Sequence, residues 1–573
     1  MKASSLATWL RWAVVGAVGL WLFLLVTMYK GMWKVEDHYD QNNPQIAGLA
    51  SQLDDAKLEN SKLSTENKRL QKLVDELSYV IDHPNAKVVG KFSDSDTGRA
   101  IGASSRQLYS KDHEVGRRWL DTNIKELYFY LFKHFDSNNA TLNDPFANRT
   151  MEQLFALMAE SYNFGESVDN AALWHRQSLG NLTNRIQKRL EELQNPSDCS
   201  KAKILLCDLN KGCGFGCQLH HVAYCFFIAA ATERTLVFEG DGKAWRYSNK
   251  GWEAAFLPLG KCNQANSAAS RKESKPWLGP EQTDRVVFLP IVDGLSRRPK
   301  QMPLAFPKQF ADELLTHHNN PSVYFVSQFI WYLMRSNSVL EKAISDAAAK
   351  IPFGKGPIVG LQIRRTDKIG TEAAFHGLDE YMKWTEHWFR IEELRNDTTL
   401  QRKVFIATDE PKVFKEARDK YPHYEIYGDS SIAETAQMNS RYTDSSLFGV
   451  VIDIQMLSRC DYLVCTFSSQ VCRMGFELMQ VRVGDAGHRF HSLDDIYYYG
   501  GQHSHDEIAV LSHVPASKDE FAFKKGETIG IAGNHWDGFS KGQNKQTGDN
   551  GLYPSYKTRE NWRIVDFPIF NGV

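Results

Sequence analysis

Residues 357–373 read Pro-Ile-Val-Gly-Leu-Gln-Ile-Arg-Arg-Thr-Asp-Lys-Ile-Gly-Thr-Glu-Ala. The apolar stretch Pro357–Ile363 is short, β-branched and bounded by charge, which predicts a buried strand. It runs straight into Arg364, Arg365, Asp367 and Lys368, with Glu372 close behind. Open α/β sheets bind ligands at the carboxyl ends of their strands, where these charges would sit. The planar guanidinium of arginine donates paired hydrogen bonds that suit phosphate oxygens. An exposed, salt-bridged loop is the plainer reading, but it fits poorly directly after so apolar a strand.

Working outward, the design recurs twice. Lys403–Ala407 leads into Thr408-Asp409-Glu410-Pro411, a helical pattern and a strand at Tyr424–Tyr427. Asp461–Cys465 leads into Thr466-Phe467-Ser468-Ser469-Gln470 and a helical run through Gln480. The free N–H groups of that helix start, with Ser468 and Ser469, suit an anion. Residues 353–500 are therefore expected to form a doubly wound domain that binds a nucleoside diphosphate. Upstream, Ala202–Cys207 is a strand, Gly212–Cys217 a glycine turn, Gln218–Ala231 a helix and Arg234–Glu239 a second strand. This βαβ unit predicts a first α/β part over 199–352. Its G-x-G-x-G turn is equally readable as a structural tight turn. Cys213 and Cys217 lie close enough in sequence to pair.

The chain has 573 residues, with 68 Lys+Arg against 69 Asp+Glu and 42% apolar content. That length predicts several domains. The balanced charge argues against a nucleic-acid partner bound by bulk electrostatics. The composition excludes wholesale disorder, collagen and a multi-span membrane protein.

Trp12–Tyr29 is an 18-residue run without charge, bounded by Arg11 and Lys30. About 18–20 apolar residues span a bilayer core. A cleaved signal peptide is the rival reading, but no small-residue cleavage site follows. We expect a cytoplasmic tail over 1–11, an uncleaved anchor over 12–29 and a stem over 30–106. Sequons at Asn139, Asn148, Asn181 and Asn396, and nine cysteines without a C-x-x-C pair, favour disulfides in an oxidising lumen over zinc. From Ile46 to Ile81 apolar positions step 3, 4, 3, 4, with Asn60 and Asn67 at one a-type position. This predicts a parallel coiled coil and a homodimer, the alternative being an amphipathic helix packed on the body. Residues 107–198 are expected to be helical, with patterns over 114–135 and 150–194. Asp94-Ser95-Asp96, the best metal-binding candidate, falls in the linker after the stem, so no metal is expected.

Arg364–His376, Thr408–Pro411, Cys465–Arg473 and His491–Gln502 resemble the eukaryotic α-1,6-fucosyltransferases across essentially the whole chain. The resemblance implies a B-type glycosyltransferase fold followed by a small all-β SH3 barrel. Ile508–Leu511, Phe521–Ile531, Trp536-Asp-Gly538 and Gly551–Tyr556 support that barrel over 501–563, before a tail at 564–573, although no ALYDY stretch is present. It also implies a Golgi type II membrane protein that inverts GDP-β-L-fucose onto the 6-hydroxyl of the innermost GlcNAc of N-glycans. No metal or other cofactor is implied.

By resemblance, Arg364 grips the β-phosphate with Arg365 in support, and Glu372 is the base with Lys368 beside it. Asp453 recognises guanine, Tyr247 contacts the donor, and Ser469 and Gln470 line its pocket. Asp409, Glu410, Asp494, Asp495 and His535 face the acceptor. Gln362 stands where vertebrate members have His beside guanine, and Glu410 replaces the second Asp of a TDDP motif. The implied disulfides are Cys199–Cys262, Cys207–Cys225, Cys213–Cys217 and Cys465–Cys472, leaving Cys460 as a buried thiol. Two competing readings are a non-catalytic membrane-anchored SH3 scaffold and a protein O-fucosyltransferase.

Overall fold

The computed structural model describes residues 110–137, 144–168, 171–291, 295–365, 374–437 and 440–572. The anchor, the heptads and the linker expected from sequence lie outside the described residues, as do Lys368 and Glu372.

Three helices come first: α1 (Lys111–Ser137), α2 (Pro145–Glu166) and α3 (Ala171–Gln194). Asp144 caps α2 by accepting from Phe146 N at 3.0 Å, and Pro145 fits the first turn, where no amide hydrogen is needed. The helical pattern over 150–194 thus resolves into two helices. The break falls at a segment carrying Gly165 and Ser167, residues that weaken a helix interior.

The first sheet contains β1 (Ile204–Cys207), β2 (Thr235–Phe238), β3 (Lys275–Pro276) and β4 (Val286–Leu289) in the order β2-β1-β4-β3, all parallel. α4 (Phe215–Ala231) crosses from β1 to β2. β1 is buried at every residue, as expected of a parallel strand covered on both faces. Then come β5 (Phe306–Pro307), α5 (Ala311–His317), α6 (Pro321–Leu333) and α7 (Ser338–Ala348). α4 and α6 are apolar nearly all round and are buried nearly all round.

The second sheet is built from β6 (Val359–Ile363), α8 (Leu378–Asn396), β7 (Lys403–Thr408), α9 (Lys412–Lys420), β8 (Glu425–Tyr427), α10 (Ser430–Thr435), α11 (Asp444–Leu457), β9 (Tyr462–Cys465), α12 (Gln470–Val483) and β10 (Phe490–Ser492). Its order is β10-β9-β6-β7-β8, all parallel. The chain runs from central β6 out to β8, then returns to lay β9 and β10 on the other side. The direction of winding therefore reverses between β6 and β9. Crevices of this kind, outside the carboxyl ends, are where doubly wound sheets hold ligands.

A five-stranded antiparallel barrel follows: β11 (Asp506–Ala509), β12 (Thr528–Asn534), β13 (Phe539–Asn544), β14 (Asn550–Pro554) and β15 (Thr558–Glu560). Its small core is Ala509, Phe521, Phe523, Ile529 and Tyr553. The residues read from sequence as a tail are part of the body. β16 (Ile564–Val565) pairs with β5, and Phe567 and Phe570 lie 5.0 and 5.8 Å, ring to ring, from Phe325 of α6. Burial of three apolar side chains, Phe567, Ile569 and Phe570, stabilises this return.

All four disulfides implied by the resemblance are formed, and Cys460 is a buried free thiol.

Candidate active site

Arg364 and Arg365 leave β6 at the winding reversal. Arg364 Nε lies 3.2 Å from Asp409 Oδ2, and Asp409 Oδ1 accepts the backbone N–H of Arg365 at 2.8 Å. Asp409, at the end of neighbouring β7, is buried, so one carboxylate holds both the first guanidinium and the backbone of the arginine loop. Arg365 Nη1 donates to Glu416 of α9 at 2.8 Å and lies 3.5 Å from Glu410. Its guanidinium is 5.1 Å from the Phe375 ring centre. Charged hydrogen bonds of this type fix direction as well as energy.

The third strand end is held in the same way. Asp494 accepts from Phe467 N at 2.8 Å and Ser468 N at 3.2 Å, and from the Ser492 hydroxyl at 2.9 Å. This clamps the turn between β9 and α12 and places Ser469 as the N-cap of α12 without a side-chain cap bond. The first-turn N–H groups of α12 therefore start at Gln470. Asp409 and Asp494, expected at the acceptor, thus carry the loops that flank the reversal. Asp495 differs: burial raises its pKa, and a Cβ on Gly533 of β12 would meet its Oδ1 at 2.9 Å. The charge of exposed His535 acts on Asp495 in the opposite sense. Asp495 and His535 meet where the barrel joins the second sheet.

The first sheet supplies the facing wall. The glycine turn after β1 comes so close to α12 that a Cβ on Gly216 would lie 2.8 Å from Gln470 Cβ. Only glycine fits there. Tyr247 is buried; Tyr442 lies 5.2 Å from it ring to ring, and Tyr442 OH donates to Cys213 O at 3.4 Å. Burial raises the Tyr247 pKa, while Arg441 and Arg364 are near enough to oppose that shift. Arg246 lies 4.4 Å over the Tyr442 ring. Arg246, Arg441 and Tyr442 were not singled out from sequence; adjacency of Arg246 to Tyr247 was the only available signal.

Gln362, on β6, is buried, and its Oε1 has no hydrogen-bond partner among the described residues. Asp453 lies on α11, which packs on β6. Burial holds its carboxyl well above the usual range, with Asp429 adding to the shift. A buried acceptor without a donor is costly unless a ligand supplies one.

Among the described residues, clustered metal-ligand atoms occur at Cys207, His221 and Cys225, and two of these three form a disulfide.

A family model described as "Alpha-(1,6)-fucosyltransferase N- and catalytic domains" matches residues 2–498. The chain belongs to this family. A second model, a variant SH3 domain, matches residues 509–558 and coincides with the barrel. The α-(1,6)-fucosyltransferase of Caenorhabditis elegans is 43% identical over 562 residues, covering 97% of this chain and 98% of that protein. The Drosophila melanogaster α-(1,6)-fucosyltransferase is 41% identical over 477 residues, covering 81% of this chain and 75% of that one. A solved structure of the Bradyrhizobium fucosyltransferase NodZ aligns at 17% identity with a TM-score of 0.28, over 48% of this chain and 92% of that one. The matched family region contains every strand of both large parallel sheets.

The SH3 barrel docks on α1. Trp536 packs 5.5 Å from Phe129 and 5.7 Å from His491, ring to ring, and Asn534 donates to Glu126 at 3.2 Å. Gly538 has φ +87°, and a Cβ there would lie 2.7 Å from Tyr130 Cβ. A cavity of about 290 Å³ remains between barrel and body, lined by Glu126, His505, Glu507 and Glu560 among others. Burial pushes Glu126 up to about 7 and, with the Glu560 charge, Glu507 up to about 7. Burial opposes the charge on His505, yet Glu560, Glu507 and Asp506 together raise it to about 9.

Proposed function

We propose that this chain transfers fucose from GDP-β-L-fucose, with inversion, to the 6-hydroxyl of the innermost GlcNAc of N-glycans. The observation that carries the reading is the arginine pair at the winding reversal, held by Asp409 and Glu416 and faced by Tyr247. In the reaction the bond from the fucose anomeric carbon to the β-phosphate oxygen breaks, and a bond to the acceptor O6 forms. The leaving diphosphate gains charge, which preorganised guanidiniums meet without reorganisation. Arg364 takes this role with Arg365 behind it, so the chemistry needs no metal ion. The O6 proton goes to the Glu372 carboxylate, with Lys368 beside it. Asp453 and Gln362 offer acceptors to the guanine edge. Asp495 and His535 frame the acceptor side, and Glu410 reaches it from the turn after β7, beside Arg365. We further propose a single-pass anchor over 12–29 in the Golgi membrane, a lumenal body and a homodimer formed through the heptads of 46–81.

The test is transfer to a GlcNAc-terminated N-glycopeptide, with EDTA present and the product mapped by mass spectrometry. Fucose on the innermost GlcNAc is expected. Fucose elsewhere, or dependence on a divalent ion, would overturn the acceptor or the metal-free chemistry. Glu372→Gln should leave GDP binding intact while turnover falls about 10²–10⁴-fold; equal loss of both would reassign Glu372.

A further inference from the structure

His220 lies on α4, in the first sheet's half, but its ring reaches into the second. Its Nε2 is 2.9 and 3.1 Å from the two oxygens of Glu477 on α12. Its Nδ1 is 2.9 Å from Gln470 Oε1, at the first turn of the same helix. Glu477 has no exposed surface and also accepts the Tyr497 hydroxyl at 2.7 Å. Tyr499 OH donates to the His220 carbonyl at 2.6 Å, and Arg473, one turn before Glu477, donates to Tyr498 O.

Carboxylate oxygens and an amide oxygen only accept, so with the Gln470 Oε1 facing Nδ1 both ring nitrogens lie against acceptors, the arrangement that suits a ring donating from both. A fully buried carboxylate calls for a counter-charge, and His220 is the one basic side chain touching Glu477 among the described residues. In that state the amide oxygen of Gln470 is tied to His220 and its NH2 points away from the ring. A neutral ring would donate to Glu477 alone and would bond the reversed amide, turning the oxygen away instead. The charge on His220 thus decides which end of Gln470 is available.

We propose that His220 is a positioning residue for the fucosyl donor. Held charged by Glu477, it presents the Gln470 NH2, beside the α12 N–H groups, as a hydrogen-bond donor to the diphosphate. This rests on the donor reading given under Proposed function. The pair also joins the two halves, so it couples donor capture to their relative placement.

The experiment is a double-mutant cycle on the full chain. KM for GDP-fucose and kcat are measured for the unmodified chain, Glu477→Gln, Gln470→Ala and the pair. Glu477→Gln keeps the side chain's shape and removes the counter-charge. It should raise KM about tenfold, the worth of one hydrogen bond to a charged group, with kcat little changed. In the Gln470→Ala background it should add nothing, since the group it acts through is gone. Independent, multiplying effects would mark a merely structural pair and overturn the proposal. If melting shows Glu477→Gln unfolded, His220→Gln replaces it in the same cycle with the same expected and overturning outcomes. If the unmodified chain neither binds GDP nor transfers fucose, the donor reading fails and this inference falls with it.

Discussion

The first sheet ends its central strand in glycines; the second ends its own in arginines. Both are parallel, both reverse their winding beside the central strand, and both present that strand's carboxyl end to the same cleft. The glycine turn after β1 is stiffened by Cys213–Cys217, beside a β1 that is itself tied to α4 by Cys207–Cys225. It approaches α12 closely; Gly212–Cys217 carries no charged side chain of its own, and Arg246 lies against Gly212. The arginine loop carries charge and is held by carboxylates from β7 and α9. One sheet sets the shape of the cleft and the other its chemistry, so equivalent substitutions at the two strand ends should differ in kind.

The largest effect is expected at Arg364. Arg364→Ala should lower transfer by at least about 10³-fold, in line with loss of a group that meets developing charge, while the melting temperature stays within a few degrees. Near-normal turnover would make the two strand ends equivalent and remove the contrast. Asp409→Asn comes next. It keeps an acceptor for Arg365 N and weakens the hold on Arg364, so kcat/KM should fall about 10–100-fold. An effect as large as that of Arg364→Ala would show that Asp409 itself meets substrate. On the other wall, Cys213→Ser with Cys217→Ser should cost only several-fold in KM for GDP-fucose, because a short loop already restrained by its neighbours gains little from closure. A loss rivalling Asp409→Asn would assign the glycine turn a direct part in donor binding.

The three strand ends were legible in the sequence because an apolar run that meets clustered charge at once is the local mark of a buried strand reaching a cleft. The roles of the carboxylates were not. Asp409 and Asp494 follow strands just as ligand-facing acids do. What turns them inward is backbone N–H groups from residues 44 and 27 positions away, Arg365 and Phe467, which no local pattern shows. His220 sits in a helix whose composition reads as core, and only the packing of α4 on α12 reveals its acidic neighbour. Trp536 resembles an ordinary barrel aromatic until α1 is placed beneath it. The Phe567–Phe570 segment looked like a tail because two residues of pairing leave no periodicity to read.

The smallest effect concerns the barrel junction. Glu126 and Glu507 keep their protons in the folded chain up to about 7, against 4.5 for an ordinary glutamate. Their penalty therefore grows as pH rises from 4.5 to about 7 and is constant above. His505 keeps its proton to about 9 against an ordinary 6.5, so its contribution is complete below 6.5 and lost through 9. The glutamate term lowers stability between pH 4.5 and about 7, and the His505 term lowers it between 6.5 and 9. Below 6.5, His387 and His317, held neutral by burial down to about 4 and about 3, act against the trend. Scanning calorimetry should show the melting temperature falling by a few degrees between pH 6.5 and 9, with a shallower fall in His505→Gln. A flat profile would detach these groups from the docking of the barrel.

The β5–β16 pairing changes how the barrel can be removed. Arg563 Nη2 lies 3.5 Å from Ser504 Oγ, so the polypeptide enters and leaves the barrel through one doorway. The barrel is thus an excursion from the body rather than a bead on its end. Cutting the chain before residue 504 would also strip Phe567, Ile569 and Phe570 from the first sheet's core, and lost activity would then say nothing about the barrel. Excising 505–562 and bridging Ser504 to Arg563 with a short turn is the surgery that leaves the body whole.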